Sequence, residues 1–476
     1  MKGRIAMKTL LINISLRPES KVKLFPIGIG YIATAMKNAG FDFDLLDIDA
    51  HRYSDKEVDE FIRAKHYDVV AMGCIVTGYS KVKDLCARIR LFHRDAYIIV
   101  GNSVATSIYK TLLSKTEADV AVMGEGDITI VKLLKAIEAH DKTRQDSCFA
   151  SVLGIAYKDN GKIYLNPPQP AISDISMLPH IDFSLFDAEI YIQNAKEQIS
   201  ENSVPIPRGE LRALPLNTAR GCIGNCTFCY HNFRGYKYRY RSMDSILNEI
   251  SSMIKLYHLN FIILGDELTL FSRKRAEEFA DEILASGLHF YWEVTCRADC
   301  FTKESDIKIM NKMKEAGCVG AAFSLESSDP EILYMMNKHI TVKDFQRTAR
   351  LFWQAGITPR TSLVIGYPME TKETIRNTFQ CCEDCKIYPS SGFLLPQPGS
   401  VMYDYAKEHG FITDEEEFLL KMGDRQDLRI NMTQMTDEEM EQAVLDGLSK
   451  CNTDLAIGLD KEHLVRTQYY RKAKSR

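Results

Sequence analysis

Short apolar runs alternate with segments of helical period through the first third of the chain. LLINIS (10–15), FDFDLLDID (41–49), VVAMGCI (69–75), YIIVG (97–101) and DVAVMG (119–124) are rich in β-formers and bounded by turn or polar residues, which predicts strands. Between two of them Val82, Leu85, Cys86, Ile89 and Phe92 recur at one face of a helix. Alternation of this kind predicts right-handed crossovers and a doubly wound, Rossmann-like parallel sheet. Ligands of such sheets sit beyond the strand C-termini. The turns there are Pro26–Ile27–Gly28–Ile29–Gly30, Gly73–Cys74–Ile75–Val76–Thr77–Gly78, Gly101–Asn102–Ser103 and Gly124–Glu125–Gly126–Asp127. Glycine lets a bulky ligand meet bare backbone, although ordinary turn punctuation accounts for the same spacing equally well. No G-x-G-x-x-G follows the first strand, so a dinucleotide site is not supported.

Residues 142–213 break the rhythm. Asp159–Asn160–Gly161 signals a hairpin, and the prolines from Pro167 to Pro207 suggest a connector draped over the surface. Alternation resumes at 214: LPLNTAR (214–220), FIILGDE (261–267), FYWEVTC (290–296), GAAFSLE (320–326), TSLVIGYP (361–368) and GFLLP (392–396) predict six strands separated by helices. Six βα units in so short a span favour an open, partial (β/α)6 barrel over a closed one of eight, with function at the strand C-termini. The expected organisation is therefore an α/β chain: a Rossmann-like domain (1–141), hairpin and connector (142–213), partial barrel (214–412) and a helical, charge-rich extension (413–476).

Composition narrows the function. The 476 residues carry 60 basic and 64 acidic side chains, a net charge of −4, which argues against a nucleic-acid-binding surface. The longest apolar stretches are strand-length, short of the roughly 20 residues a bilayer span needs. The apolar run after the basic N-terminus leads straight into Arg17, Pro18 and Glu19, too short for a signal peptide, so a cytoplasmic protein starting at Met1 or Met7 is expected. Thirteen cysteines in such a chain argue against a disulfide framework.

Three of those cysteines stand together in Ala219–Arg220–Gly221–Cys222–Ile223–Gly224–Asn225–Cys226–Thr227–Phe228–Cys229–Tyr230, just after the first barrel strand. A structural zinc site takes four protein ligands. A 4Fe–4S cluster held by three thiolates leaves one iron open to a substrate or cofactor. A zinc knuckle completed by His231, or three ordinary loop thiols, are the competing readings.

Cys-x3-Cys-x2-Cys with an aromatic before the last cysteine is similar to the signature of radical S-adenosylmethionine (SAM) enzymes. The resemblance implies that Cys222, Cys226 and Cys229 hold a 4Fe–4S cluster, that SAM chelates the open iron, and that one electron then cleaves it to a 5′-deoxyadenosyl radical. It assigns Gly265, Asp266 and Glu267 to the family's Gly-Gly-Glu-like motif, Ser324 and Glu326 to ribose and carboxylate contacts, and Ile365, Gly366 and Phe228 to the adenine. Glu331 to Lys338 and Pro396 to Tyr403 also resemble family segments.

The N-terminal half resembles the cobalamin-binding subclass, through Pro26–Ile27–Gly28–Ile29–Gly30–Tyr31, the Gly124–Asp127 turn and Arg241–Ser242 through Glu249–Ile250. It implies a cobalamin held by Pro26, Gly28, Gly30, Gly73, Cys74, Thr77, Gly101, Asn102, Gly124, Glu125 and Gly126 without a cobalt-ligating histidine; His51 is expected to be a loop or surface residue. An unactivated carbon or a phosphinate phosphorus is not nucleophilic, so a substrate radical taking a methyl group from methylcobalamin is the implied reaction. An oxygen-sensitive methyltransferase is expected, with a small-molecule or peptide substrate and a flavodoxin- or ferredoxin-type reductant. A radical cyclisation or rearrangement, an RNA methylthiotransferase and a zinc-stabilised binding module are the alternatives. Cys381, Cys382 and Cys385 could join Cys296 or Cys300 in an auxiliary cluster, although a buried helix explains them better. The interleaved aromatic and cationic run His231–Arg241 is expected to pack against the cofactor domain, and Arg297 is a candidate carboxylate contact.

Overall fold

A computed structural model describes residues 7–139, 146–199 and 204–465. The basic residues from Arg466 to Arg476, and the 141/142 boundary, lie outside the described residues.

Five strands with wholly apolar or nearly apolar interiors, β1 (Thr9–Asn13), β2 (Phe43–Asp47), β3 (Val69–Gly73), β4 (Tyr97–Gly101) and β5 (Val120–Val122), pair in parallel. Apart from the partly exposed edge strand β2, their residues are buried on both faces because helices such as Ile27–Asn38 and Tyr79–Phe92 cover the sheet, as crossover connections require. The strands β6 (Ile155–Asp159) and β7 (Lys162–Leu165) extend the same sheet antiparallel, giving the order β2-β1-β3-β4-β5-β6-β7. Asn160 (φ +49°) and Gly161 (φ +77°) form the two-residue turn. The proline-punctuated connector runs over the surface, with Pro167, Pro168, Pro170, Pro179, Pro205 and Pro207 exposed, but it is anchored at intervals. Ile155 and Ala156 are fully buried against β5, and Phe183, Tyr191 and Ile192 of the following segment are buried too.

The second layer begins with β8 (Ala213–Leu216), β9 (Ala219–Arg220) and β10 (Arg239–Tyr240), the last two a short antiparallel pair. Four parallel strands continue it: β11 (Phe261–Leu264), β12 (Tyr291–Thr295), β13 (Cys318–Ala322) and β14 (Thr358–Arg360). A break at Thr361 separates β14 from β15 (Ser362–Ile365), which pairs with β16 (Ser390–Phe393). The expected fifth strand (361–368) is β15, preceded by the separate short strand β14, and a single bridge from Glu326 to Leu363 links β15 to the strand position before it. The result is an open barrel of six strand positions.

The extension after 413 is helical only in part. Helix Glu415–Lys421 ties to the N-terminal domain through Lys83 Nζ, 2.5 Å from Glu416, and to the barrel through Tyr403 Oη, 2.6 Å from Glu415. Helix Asp437–Asp454 packs on helix Lys372–Asp384, where a Cβ on Gly447 would lie 2.2 Å from the Phe379 ring. Residues 422–436 between them carry no helix. The extension straps across both domains.

Candidate active site

The cysteine loop leaves the barrel after β9 and is pinned by its neighbours. Thr227 donates its N–H to Met336 O (2.9 Å) and its hydroxyl to Met335 O (2.8 Å), and its carbonyl accepts from Met402 N (3.1 Å). Asn337 Nδ2 donates to Asn225 O (2.9 Å), and the Arg234 guanidinium to the Cys226 and Cys229 carbonyls. Two of the thiols flank Gly224, and Cys229 neighbours both. The Gly224 N–H points at Cys222 Sγ (3.3 Å), and a Cβ there would lie 3.5 Å from Cys222 Sγ and 3.7 Å from Cys226 Sγ.

Burial pushes the Cys226 thiol up from its ordinary pKa, while the nearby Lys338 and Arg297 cations oppose the shift. Those cations would stabilise thiolates, as a ligand set requires. Among the described residues no three His, Cys, Asp or Glu side chains converge closely enough to hold one ion. A mononuclear zinc site needs that convergence, whereas a four-iron cluster takes each thiolate on a different iron. The trio therefore fits a cluster better than a single ion.

Around the loop the predicted residues divide. Asp266 is fully occupied: its carboxylate accepts from Thr218 N (2.7 Å), Thr218 Oγ1 (2.6 Å) and Ala219 N (2.9 Å), so it holds the end of the first barrel strand and is not available to SAM. Glu267 stays accessible and accepts from Gly221 N (3.3 Å). Gly265 marks a close approach, since a Cβ there would meet the Ile27 side chain at 2.3 Å. Glu326, 4% exposed with φ +66°, pairs with Lys338 Nζ (2.9 Å), while its Oε2 finds no partner among the described residues. Ser324 shares a hydrogen bond with Ser362 (2.7 Å). Ile365 and Gly366 are buried at the end of β15, and Phe228 packs edge-on to Tyr367 at 6.5 Å. Arg297 is held by Asp299 (2.9 Å) and lies 3.3 Å from a Cβ position on Gly224, beside the thiols. Lys338 is the cation in the same group that motif reading did not single out.

The N-terminal sheet ends in a cavity of about 380 Å³. Pro26, Gly28, Gly73, Cys74, Gly101, Asn102, Gly124, Glu125 and Gly126 line it. Gly30 and Thr77 do not. A Cβ on Gly30 would meet Ile181 and Phe25 at 3.0 Å, so that glycine serves helix packing, and Thr77 sits in the turn Val76–Gly78. Asn102 adopts φ +69°, a conformation glycine usually supplies, and uses its side-chain oxygen to accept from Ser103 N (2.6 Å) and Asn232 Nδ2 (2.7 Å). The Asn232 side-chain oxygen, also at this cavity, is buried without a partner among the described residues. Glycine-lined backbone and an orphaned amide oxygen fit a large cofactor bearing hydrogen-bond donors, such as cobalamin. His51 ends helix Ile48–His51 and pairs with Asp187 (2.9 Å), away from this lining.

Arg220, Asn232 and Phe233 line the same cavity, so one segment reaches from the thiols to it. Arg220 Nη1 donates to Glu125 (2.8 Å) and Asp127 (2.9 Å), and its Nη2 to Asp127 (2.9 Å). Arg239 Nη1 also reaches Glu125 (2.9 Å). All four side chains are at most 11% exposed. The Gly-Glu-Gly-Asp turn is therefore the ion-pair partner of the barrel as well as a cofactor lining. The aromatic and cationic run from His231 to Arg241 does pack against the cofactor domain, and Arg241 fixes the helix after it through Glu249 (2.5 Å). Cys381 and Cys385 are hydrogen-bonded one helical turn apart, with Cys382 beside Cys451, whereas Cys296 neighbours Cys300 and Cys318.

Residues 216–382 match the Radical SAM superfamily, and residues 16–134 the B12 binding domain. The chain is 26% identical over 413 residues to an uncharacterized methyltransferase of Pyrococcus horikoshii, covering 84% of each chain. It is 26% identical to the anaerobic magnesium-protoporphyrin IX monomethyl ester cyclase of Rubrivivax gelatinosus over 75% of this chain and 62% of the cyclase. To the cytidylyl-2-hydroxyethylphosphonate methyltransferase of Streptomyces wedmorensis it is 24% identical, over 97% of this chain and 92% of that enzyme. Among solved structures it shares the fold of the radical SAM methyltransferase TsrM from Kitasatospora setae with cobalamin and a [4Fe-4S] cluster bound (TM-score 0.67, 16% identity, 96% and 90% covered). It also shares that of the cobalamin-dependent enzyme OxsB (TM-score 0.62, 17% identity, 90% of this chain and 58% of OxsB).

Proposed function

We infer the activity from the premise that this chain belongs to the radical SAM superfamily and carries a B12-binding domain: it is a radical SAM methyltransferase acting on an unactivated carbon, or a phosphinate phosphorus, of a small-molecule or peptide substrate. The observation that carries this reading is the continuity of residues 220–233, which bear the three thiols and line the glycine-rich cavity. When bound, the cluster supplies the electron that cleaves SAM to a 5′-deoxyadenosyl radical, and cobalamin supplies a transferable methyl group.

The chain's own residues position and shield. Cys222, Cys226 and Cys229 would hold the cluster. The accessible Glu267 carboxylate suits the SAM ammonium, Lys338 and Arg297 suit its carboxylate, Ser324 and the free Glu326 oxygen suit the ribose, and the Ile365–Gly366 backbone suits the adenine. Phe228 and Tyr367 would cover this edge of the site from water. The Arg220–Glu125–Asp127–Arg239 network holds the two cofactor regions face to face, the orientation a transfer between them demands. A one-electron donor of flavodoxin or ferredoxin type and a cytoplasmic setting complete the reading. Among the described residues no helix is long and apolar enough to cross a membrane.

The test is anaerobic incubation of the cobalt-loaded chain with reductant and SAM bearing a trideuteriomethyl group. Label recovered in the protein-bound cobalamin supports the reading. Cobalt without label, with deoxyadenosine still formed, favours the radical cyclisation that the cyclase relative's name suggests.

A further inference from the structure

The segment between the two helices of the extension ends at the barrel lumen. Residues Asp424–Asp427 form a turn closed by Asp427 N donating to Asp424 O (3.2 Å). Asp424 grips Arg17 of the N-terminal domain in a two-pronged ion pair (2.7 and 3.0 Å), and Arg425 O accepts from Phe393 N of β16 (2.6 Å). The turn is thus clamped between the domains.

Its second residue points into the barrel. Alternate strand residues share a face, and Ser390 of β16 lines a lumenal cavity of about 300 Å³ with Ser324 and Ser362. Gly392 lies on that same face, and a Cβ there would fall 2.8 Å from Arg425 Cγ and 2.9 Å from its Nε. The Arg425 side chain therefore lies across the lumenal face of Gly392, level with Val364 of β15.

Among the described residues nothing neutralises it. The flanking carboxylates are taken, Asp424 by Arg17 and Asp427 by Arg429 (2.8 Å). Among the described residues the Arg425 guanidinium has no ion pair or hydrogen bond, although it is partly buried. Beside it Gln426 is 5% exposed with both amide atoms unpartnered among the described residues. A half-buried cation and a buried amide without partners carry a standing desolvation penalty that a ligand would relieve.

We propose that the turn Asp424–Asp427 is the substrate-recognition element of this enzyme, with Arg425 the receptor for an oxyanion (carboxylate or phosphoryl) on the substrate and Gln426 its hydrogen-bonding neighbour. The guanidinium fork matches both oxyanions bidentately. The assignment rests on the barrel mouth being the reaction site, as read above, and names the class of substrate it admits.

The probe is inorganic phosphate, with acetate in parallel to separate the two oxyanions, against the full-length chain at constant ionic strength set with chloride. Saturating anion raises the melting temperature of the unaltered chain by roughly 2 °C. Arg425→Gln loses the rise while keeping the iron content and visible absorbance of the unaltered chain, and Arg425→Lys keeps part of it. Gly392→Ala, which drives a methyl group into the arginine side chain, reduces it with the charge intact. No rise in the unaltered chain, or an equal rise in Arg425→Gln, overturns the proposal. The methyltransferase reading fails separately, on absence of SAM cleavage, because the anion effect is read without reductant or SAM.

Discussion

Removing the Arg220 guanidinium tests how the two cofactor regions are held together. Arg220 makes three charge-assisted hydrogen bonds, and its side chain is 8% exposed, beside Glu125 at 3% and Asp127 at 11%. In Arg220→Gln, Glu125 keeps Arg239 and the Ile172 N–H, whereas Asp127 loses the cation that both its oxygens contact. The penalty falls on Asp127. Breaking a buried pair from one side costs about 3–5 kcal/mol, and here the remaining bonds of Glu125 place it at about 3. Asp127→Asn relieves the stranded carboxylate, so the double variant should recover about 2 kcal/mol relative to the sum of the single changes, or about thirty-fold in an opening equilibrium. Native-state hydrogen exchange of peptides covering 122–128 and 217–241 reads this local opening directly. Strict additivity, or exchange that changes equally across the whole chain, would refute the idea that this network is a local interdomain clamp.

Three further outcomes follow from the same geometry. Glu370 is 2% exposed, and burial pushes its carboxyl up to about 7 while Thr374 Oγ1 (2.9 Å) and Gly366 N (3.2 Å) donate to it. The folded chain therefore holds this proton more tightly than the unfolded chain, so stability from this group is present below pH 4.5 and is lost as pH rises through 7; Glu370→Gln should match the unaltered chain near pH 4.5 and exceed it by up to about 3 kcal/mol at pH 8, read as melting temperature against pH. Asp266→Ala strands the Thr218 and Ala219 N–H groups, and should destabilise the barrel by about 2–4 kcal/mol in urea titration and lower iron retention with it. His231→Ala should leave the iron content unchanged, because the three thiolates alone hold the cluster in this account, even though the buried imidazole is held toward its neutral form with Nδ1 unpartnered among the described residues; a loss of stoichiometric zinc in that variant would revive the zinc knuckle.

Most of the architecture was legible because periodicity reports burial directly. Leu10 to Ile12 and Val69 to Met72 are apolar runs because both faces of the sheet are covered, and the thiol spacing after β9 reports a local loop. Where the pattern misled, long-range packing was responsible. The prolines around 167–207 are exposed, as a connector's should be, but sequence does not show that Phe183 and Tyr191 between them are buried. Asp266 looked like part of a SAM motif, yet its carboxylate is spent on backbone groups nearly fifty residues away. Gly28 and Gly30 fall in one turn pattern, but Gly30 accommodates Ile181 whereas Gly28 lines the cavity. Arg220 and Lys338 stand inside segments that the motifs marked, but their ion-pair partners, like the isolation of Arg425, arise only when separate segments meet.

The most direct test of the account is the yield of 5′-deoxyadenosine when the anaerobically reconstituted chain is reduced in the presence of SAM. About four irons per chain and deoxyadenosine formation that vanishes in Cys226→Ala are the predicted result. A reconstituted, folded chain that binds no iron, or that carries its cluster and leaves SAM intact under strong reductant, would contradict it.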